Sequence, residues 1–386
     1  MAKNKTGIAA LDAMIKGASK KFGKDMGGFD WGDWAPLSTG STQLDQALYI
    51  GGIPLFSIIE IIGQESSNKT SFCLNMLARE QERRRKEREE AIAKGDEEPP
   101  RRMDIILDLE RSMTSSFIKG FGVDLEQVLW LRPDTAEEAL QVSLDYVKSG
   151  AIGMVILDSV DAMQNVKQQS RNVGETDVGG ISKDMSFAIR QIAKLCKEYK
   201  TTYIFINQIR MNPGVMFGSP ETTPGGKSLA FYASLRLKFM SRKANKDVPM
   251  AYNMRVQVKK TRCGPDFEGI LELPFLHGRG FATLLDVTNT AKEFGILKHS
   301  AGQSKVFWQA DGDIEDKNCW GPLMPDIDKG KAAAFQALEE NPWLLEQLRQ
   351  LCFYVGNAPN RMSLEEIRAI QPEEQDDTGT TETDGE

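Results

Sequence analysis

FSIIEIIGQESSNKTSFCLNMLAR, residues 56–79, changes character twice. It opens on an isoleucine-rich run at 56–62, the composition of a strand buried on both faces. It breaks into Gly63, Gln64, Glu65, Ser66, Ser67, Asn68, Lys69 and Thr70, then resumes at Ser71 with a helical pattern. Strand, glycine-led turn and helix in that order make a phosphate-binding loop. Main-chain N–H groups of the loop and of the helix N-terminus converge on an anion. Lys69 adds a point charge for the β- and γ-phosphates, and the Thr70 hydroxyl is placed to ligate Mg²⁺. The implied ligand is a nucleoside triphosphate held across residues 63–71. One position departs from the pattern: the usual second glycine is Asn68. Asparagine enters the left-handed region more readily than most side chains. The expectation is a loop that still forms, with weaker phosphate binding or slower turnover.

Outward from this loop, the chain from 37 to about 280 alternates strands and helices. Apolar strand candidates fall at 56–62, 105–109, 128–131, 154–157, 203–206 and 235–239, with helical patterns at 135–148 and 181–199. That rhythm predicts an α/β fold, a mostly parallel sheet with helices on both faces. Runs at 254–260 and 270–273 suggest a more antiparallel end. Asp158 closes the 154–157 strand, where a carboxylate near the loop would hold Mg²⁺ through water. Asp108 and Glu110 close another strand. By chemistry alone either could polarise an attacking water or cap the following helix.

Residues 79–102 are almost entirely charged, with acids and bases at i, i+4 spacing. They read as a solvated helical extension ending near Gly95 and the Pro99–Pro100 break, or else as a basic nucleic-acid contact from residues 83–88. Residues 3–24 form an amphipathic helical pattern on Ile8, Leu11, Ile15, Ala18 and Phe22, which either packs back or docks on a neighbour. After about 284 the pattern shifts to short helices and a hairpin-like stretch at 306–308. The last residues, 372–386, carry seven acids and no base. Subtracting those seven from the net charge of −7 leaves residues 1–371 formally neutral. The tail is expected to be disordered, either for solubility or as an electrostatic competitor for a DNA site. Five scattered cysteines and two histidines argue against a disulfide framework or a multi-histidine metal site, and fit a reducing cytosol. No apolar run approaches membrane-spanning length.

LSTGSTQLDQALYIGGIP at 37–54, the phosphate loop, and above all FINQIRMNPGVMFGSPETTPGGKSLAFYASLRL at 205–237 resemble the RecA family. The likeness runs well from about 38 to 280 and more faintly over both ends. It implies a RecA-type P-loop ATPase core at 37–283, with 79–102 as a charged insertion. An N-terminal oligomerisation helix and linker would occupy 1–36, a small α+β domain 284–358, and a disordered acidic tail 359–386. The implied activity is that of a cytoplasmic, ATP- and Mg²⁺-dependent recombinase, a DNA-stimulated ATPase. It would form a helical filament on single-stranded DNA and exchange strands with homologous duplex.

Carried residue by residue, the resemblance makes Glu110 the carboxylate that polarises water and Gln208 the γ-phosphate sensor. Phe117 stands where an aromatic stacks on adenine, and Thr114 replaces an acid nearby. Lys260 and Arg262 match cations that reach the neighbouring subunit's γ-phosphate. The DNA loops fall at about 171–178 and 209–223. Val178, Lys183, Ser186, Arg190, Arg210, Met211, Gly225, Gly226 and Lys227 match positions near the DNA backbone. Met211, Val215, Met216 and Phe217 are expected as apolar wedges between nucleotides. Asn68, Phe117 and Thr114 keep a second function in view, a DNA-binding filament or recombination mediator that hydrolyses ATP poorly. A ring-forming motor is a third.

Overall fold

The computed structural model describes residue 20 and residues 34–162, 180–211, 221–224, 227–244, 251–300, 303–307, 320–322, 336–356 and 362–370. The chain divides into two compact units, Met1–Ala35 and Pro36–Glu386. In the first, Lys20 is helical. The rest of the helix expected at 3–24, most of both DNA loops and the acidic tail lie outside the described residues.

The second unit is built on a nine-stranded sheet. In chain order its strands are β1 (Ile58–Gly63), β2 (Met103–Asp108), β3 (Val128–Leu131), β4 (Ile152–Asp158), β5 (Thr202–Gln208), β6 (Leu235–Ala244), β7 (Ala251–Thr261), β8 (Leu271–Leu276) and β9 (Gly280–Phe281). Across the sheet they run β9-β8-β7-β6-β1-β5-β4-β2-β3. The pairs from β6 to β3 are parallel, and those from β6 through β9 are antiparallel. The expected α/β architecture and its antiparallel end are both present. β1 begins two residues later than the apolar run because Phe56 has φ of 57°, a conformation that no strand continues.

The helices around it are α1 (Thr42–Ala47), α2 (Lys69–Lys94), α3 (Ser115–Gly120), α4 (Ala136–Val147), α5 (Gly180–Glu198) and α6 (Lys227–Tyr232). Strand side chains alternate faces. One face, with Ile58, Ile105, Leu107, Val155, Leu157, Tyr203 and Phe205, packs under α4 and α5 through Leu140, Leu144, Ile189 and Ile192. The other face meets α2, where the Phe72 ring lies 5.1 Å from Phe239 and 6.3 Å from Phe281.

The charged stretch folds as the long continuation of α2. It stops at Gly95, φ 72°, where Asp96 N–H reaches the Ala91 carbonyl and Gly95 N–H that of Ile92; this is the glycine-dependent helix stop its sequence suggested. Its inner turns are less solvated than expected. Glu80 and Gln81 are buried, and Arg84 pairs with the fully buried Asp104 at 2.5 Å. Arg83, Arg85, Lys86 and Arg88 pair with Glu80, Glu87, Glu82, Glu89 and Glu98. Cations already neutralised in this way are poorly disposed to contact nucleic acid.

Beyond the sheet come α7 (Thr283–Glu293), a small antiparallel sheet of Leu297–Ser300, Gln303–Phe307 and Trp320–Pro322, α8 (Pro342–Val355) and α9 (Leu364–Ala369). They enclose their own apolar cluster of Val287, Ala291, Ile296, Leu338, Leu348, Leu351 and Ile367. Buried polar contacts tie it to α1: Ser41 Oγ donates to Asp286 at 2.7 Å, and Gln46 Nε2 to the Cys352 carbonyl at 2.7 Å.

Candidate nucleotide and nucleic-acid site

The sheet register decides what meets what. Gly63 ends β1 beside Gln208 at the end of β5, and Asp108 ends β2 beside Asp158 at the end of β4. The phosphate loop, the expected sensor and the carboxylates therefore share the C-terminal edge of the parallel strands, where ligands of open α/β sheets bind.

The loop is drawn tight. A Cβ at Gly63 would meet the Phe239 carbonyl oxygen at 2.5 Å and Ser67 Oγ at 2.6 Å. Ser67 Oγ and Lys69 Nζ both donate to the Gln64 carbonyl at 2.7 Å, and Ser66 and Asn68 adopt φ of 58° and 68°. Lys69 is buried. Its pKa lies below the ordinary lysine value because burial disfavours the charge, against the pull of Asp158 and Glu110. An anion would restore what burial removes.

Thr70 Oγ1 donates to Asp158 Oδ2 at 2.7 Å. Burial lifts the Asp158 carboxyl to about 6, with the Thr70 bond opposing and Glu110 reinforcing. One hydroxyl and one carboxylate are hard oxygen donors, the set that binds Mg²⁺ together with phosphate oxygens and water. Among the described residues no cluster of three or more His, Cys, Asp or Glu forms. The site thus fits a metal shared with phosphate better than a metal caged by protein.

The two candidate carboxylates separate cleanly. Asp108 is fully buried and accepts from Ser112 N at 3.2 Å, Trp130 Nε1 at 3.3 Å and Arg132 Nε at 3.2 Å. Glu110 is exposed and accepts from Ser159 Oγ at 2.5 Å, next to Asp158. Asp108 is committed to structure; Glu110 faces the loop's side of the sheet with an oxygen to spare. Phe117 is half-buried on α3, edge-on to Phe121 at 5.3 Å. Thr114, the departure from the family acid, caps α3 by accepting from Phe117 N at 3.3 Å.

Gln208 sits above a buried polar relay that the sequence did not disclose. Its N–H donates to Asn207 Oδ1 at 3.0 Å. Asn207 Nδ2 donates to Glu60 Oε1 at 3.0 Å and to the Pro224 carbonyl at 3.1 Å, and Arg236 Nε closes on Glu60 Oε2 at 2.5 Å. Arg236 is registered with Lys260. Glu60 was hidden because a carboxylate inside an isoleucine run gives no local hint of its partners.

Lys260 and Arg262 are not brought to this chain's phosphate loop. β7 runs antiparallel, so Lys260 pairs with Arg236, which pairs with Glu60 in the middle of β1, and Arg262 N–H bonds the Ser234 carbonyl just ahead of β6, toward the end of the sheet opposite Gly63. There Lys260 Nζ donates to the Ala230 and Phe231 carbonyls at 2.8 Å, and Arg262 to that of Phe231 at 2.6 Å. The Phe231 side chain is 66% exposed. Burial, then Arg262 and Arg236, hold Lys260 down at about 8, with Glu60 opposing.

Of the expected DNA contacts, Ser186 lies on α5 with its Oγ 3.1 Å from Ser228 Oγ, and Arg190 and Lys227 are exposed. Lys183 lies within α5. Arg210 is exposed and pairs with Asp161 at 2.5 Å. Arg210 and Met211 pair in antiparallel register with Thr222 and Glu221, closing the base of the second loop. Val178, Val215, Met216, Phe217, Gly225 and Gly226 lie outside the described residues.

The RecA N-terminal domain model matches residues 9–282, most of the chain and all of the nine-stranded sheet. The chain belongs to the RecA family. It is 35% identical over 295 residues to Protein RecA of Ruminococcus albus, covering 75% of this chain and 70% of that one. To Protein RecA of Thermus thermophilus it is 33% identical over 350 residues, 88% of this chain and 92% of that one. Protein RecA of Lactiplantibacillus pentosus is 32% identical over 348 residues, 89% and 83%. As a RecA-family protein it carries the family's P-loop core. Asn68 of the phosphate loop accepts from the Tyr252 hydroxyl on β7 at 3.0 Å.

Proposed function

We propose that this protein is an ATP-dependent DNA recombinase, a filament on single-stranded DNA whose ATPase sites form between adjacent subunits and which exchanges strands with homologous duplex. The observation that carries the proposal is the division of the machinery. Lys69, Thr70, Asp158 and Glu110 gather at one edge of the sheet. Lys260 and Arg262 stand toward the opposite end of it. A head-to-tail contact brings opposite faces of successive subunits together and propagates as a helix.

In this reading the loop N–H groups and Lys69 bind the phosphates, and Thr70 with Asp158 hold Mg²⁺. A metal held there would supply positive charge against the charge that develops on the phosphates. Glu110, held by Ser159, orients and deprotonates the attacking water. Lys260 and Arg262 of one subunit neutralise charge at the next subunit's γ-phosphate, so turnover awaits assembly. Gln208 senses that phosphate, and Asn207 passes its position to Pro224, the exit of the second DNA loop. Residues 1–36 serve polymerisation, 284–358 form an accessory domain, and the acidic tail competes with DNA. The protein works in the cytoplasm.

A poorly hydrolysing mediator is the less supported reading, because the hydrolytic set is present and Thr114 has a structural task of its own. Strand exchange with ATP, set beside turnover with and without single-stranded DNA, tests the proposal. DNA-stimulated turnover with exchange is expected. Turnover without exchange would indicate a motor, and DNA binding with neither would indicate a mediator.

A further inference from the structure

Glu60 is a fully buried carboxylate in the middle of β1, and the proposed hydrolytic set makes no use of it. β1 lies between β6 and β5, and the carboxylate reaches both. Its Oε2 accepts from Arg236 Nε on β6 at 2.5 Å, and its Oε1 accepts from Asn207 Nδ2 on β5 at 3.0 Å. An apolar pair of similar volume in place of Glu60 and Arg236 would hold the strands as well or better. What the carboxylate alone supplies is two acceptors fixed toward neighbours on opposite sides.

On the β5 side the Asn207 carboxamide is fixed by all its contacts. Its oxygen accepts from the Gln208 N–H, and its NH₂ serves Glu60 and the Pro224 carbonyl. On the β6 side Arg236 stands opposite Lys260 in register, and Lys260 Nζ donates to the Ala230 and Phe231 carbonyls. Pro224 lies just ahead of α6, and Ala230 and Phe231 lie near its end. The short helix after the second DNA loop is therefore gripped at its entry by the neighbour of Gln208 and at its exit by Lys260. Glu60 joins the two grips.

We propose that Glu60 is the positioning residue that ties Gln208 to Lys260, so that α6 and the DNA loop before it respond jointly to the subunit's own nucleotide and to its neighbour's. This rests on the shared-site reading, in which Gln208 meets the subunit's own γ-phosphate and Lys260 meets the neighbour's.

The test uses the full chain as wild type, Glu60→Gln, the apolar pair Glu60→Leu/Arg236→Met, and Lys260→Ala. The readouts are the pH profile of DNA-stimulated ATP turnover and the ratio of single-stranded DNA affinities with ATPγS and with ADP. Burial, Arg262 and Arg236 depress Lys260 while Glu60 opposes them. Glu60→Gln removes that opposing charge and is expected to move the alkaline limb down by roughly half a pH unit. A side chain with only a structural role would leave the limb in place. The apolar pair is expected to melt no lower than wild type, yet to lose about fivefold or more of the affinity ratio. Its alkaline limb should not fall, because Arg236 outweighs Glu60 at Lys260 and leaves with it. A wild-type limb in Glu60→Gln, or a wild-type ratio in the apolar pair, overturns the proposal, since one carboxylate must serve both arms. If Glu60→Gln does not fold, the apolar pair decides: a wild-type ratio or a lowered limb overturns the proposal. If Lys260→Ala turns over like wild type, the shared-site reading itself fails.

Discussion

Glu110 and Asp108 are two residues apart and chemically alike, and their surroundings differ. Asp108 is saturated by Trp130, Arg132 and the Ser112 N–H, while Glu110 is exposed and held by Ser159. Glu110→Gln is expected to lower DNA-stimulated turnover by roughly 10²-fold or more, while nucleotide still binds. Steady-state turnover beside ADP binding checks this, and unimpaired turnover would move the base elsewhere. Lys260 gives a prediction with a sign. Burial and its cationic neighbours depress it to about 8, so its charge is present below that pH and lost above it. DNA-stimulated turnover should decline above about pH 8, and Lys260→Arg should hold its plateau further into alkali. Identical pH profiles would exclude Lys260 as the titrating cation. At this scale the loop residues and Asp158 are marked by local pattern as well as by resemblance, and the cations by resemblance alone. Tyr252 is marked by neither, since its partner Asn68 lies 184 residues away and only the folded sheet joins them.

At the scale of elements, α2 couples the phosphate loop to the charged extension. Its stop at Gly95 was readable, because glycine after a helical run is a local signal. Its burial was not, because the i, i+4 charge pattern is the same whether a face is wet or packed on Asp104. Arg84 is only 11% exposed beside a fully buried carboxylate. Arg84→Ala should destabilise the fold by about 3 kcal/mol by stranding that charge, whereas Arg85→Ala, whose partners Glu82 and Glu89 are exposed, should leave the urea midpoint unchanged. Asp104 is lifted by burial to about 6, with Arg84 opposing. A carboxyl raised in the folded state contributes stability at low pH that is lost as pH rises through the folded value. The penalty of Arg84→Ala should therefore be largest above about pH 7 and shrink below about pH 5, where the carboxyl is neutral. Equal midpoints for the two variants would show that the pair is not holding α2 to β2.

For the whole molecule, the order of strands matters more than any one motif. Alternating apolar runs announced a parallel sheet, and they also hinted at its antiparallel end. They did not disclose that reversing β7 carries Lys260 and Arg262 toward the end of the sheet opposite Gly63, which depends on pairing rather than on composition. In the proposed function that placement makes the phosphate loop half of a shared site and assembly a condition of turnover. The claim is tested most directly by mixing two inactive variants, Lys69→Ala and the double variant Lys260→Ala/Arg262→Ala, on single-stranded DNA. In a head-to-tail filament, about a quarter of randomly formed interfaces pair an intact loop with intact cations. The mixture is predicted to regain DNA-stimulated ATP turnover in about that proportion, while each variant alone stays inactive; a mixture as inactive as its components would contradict the shared site.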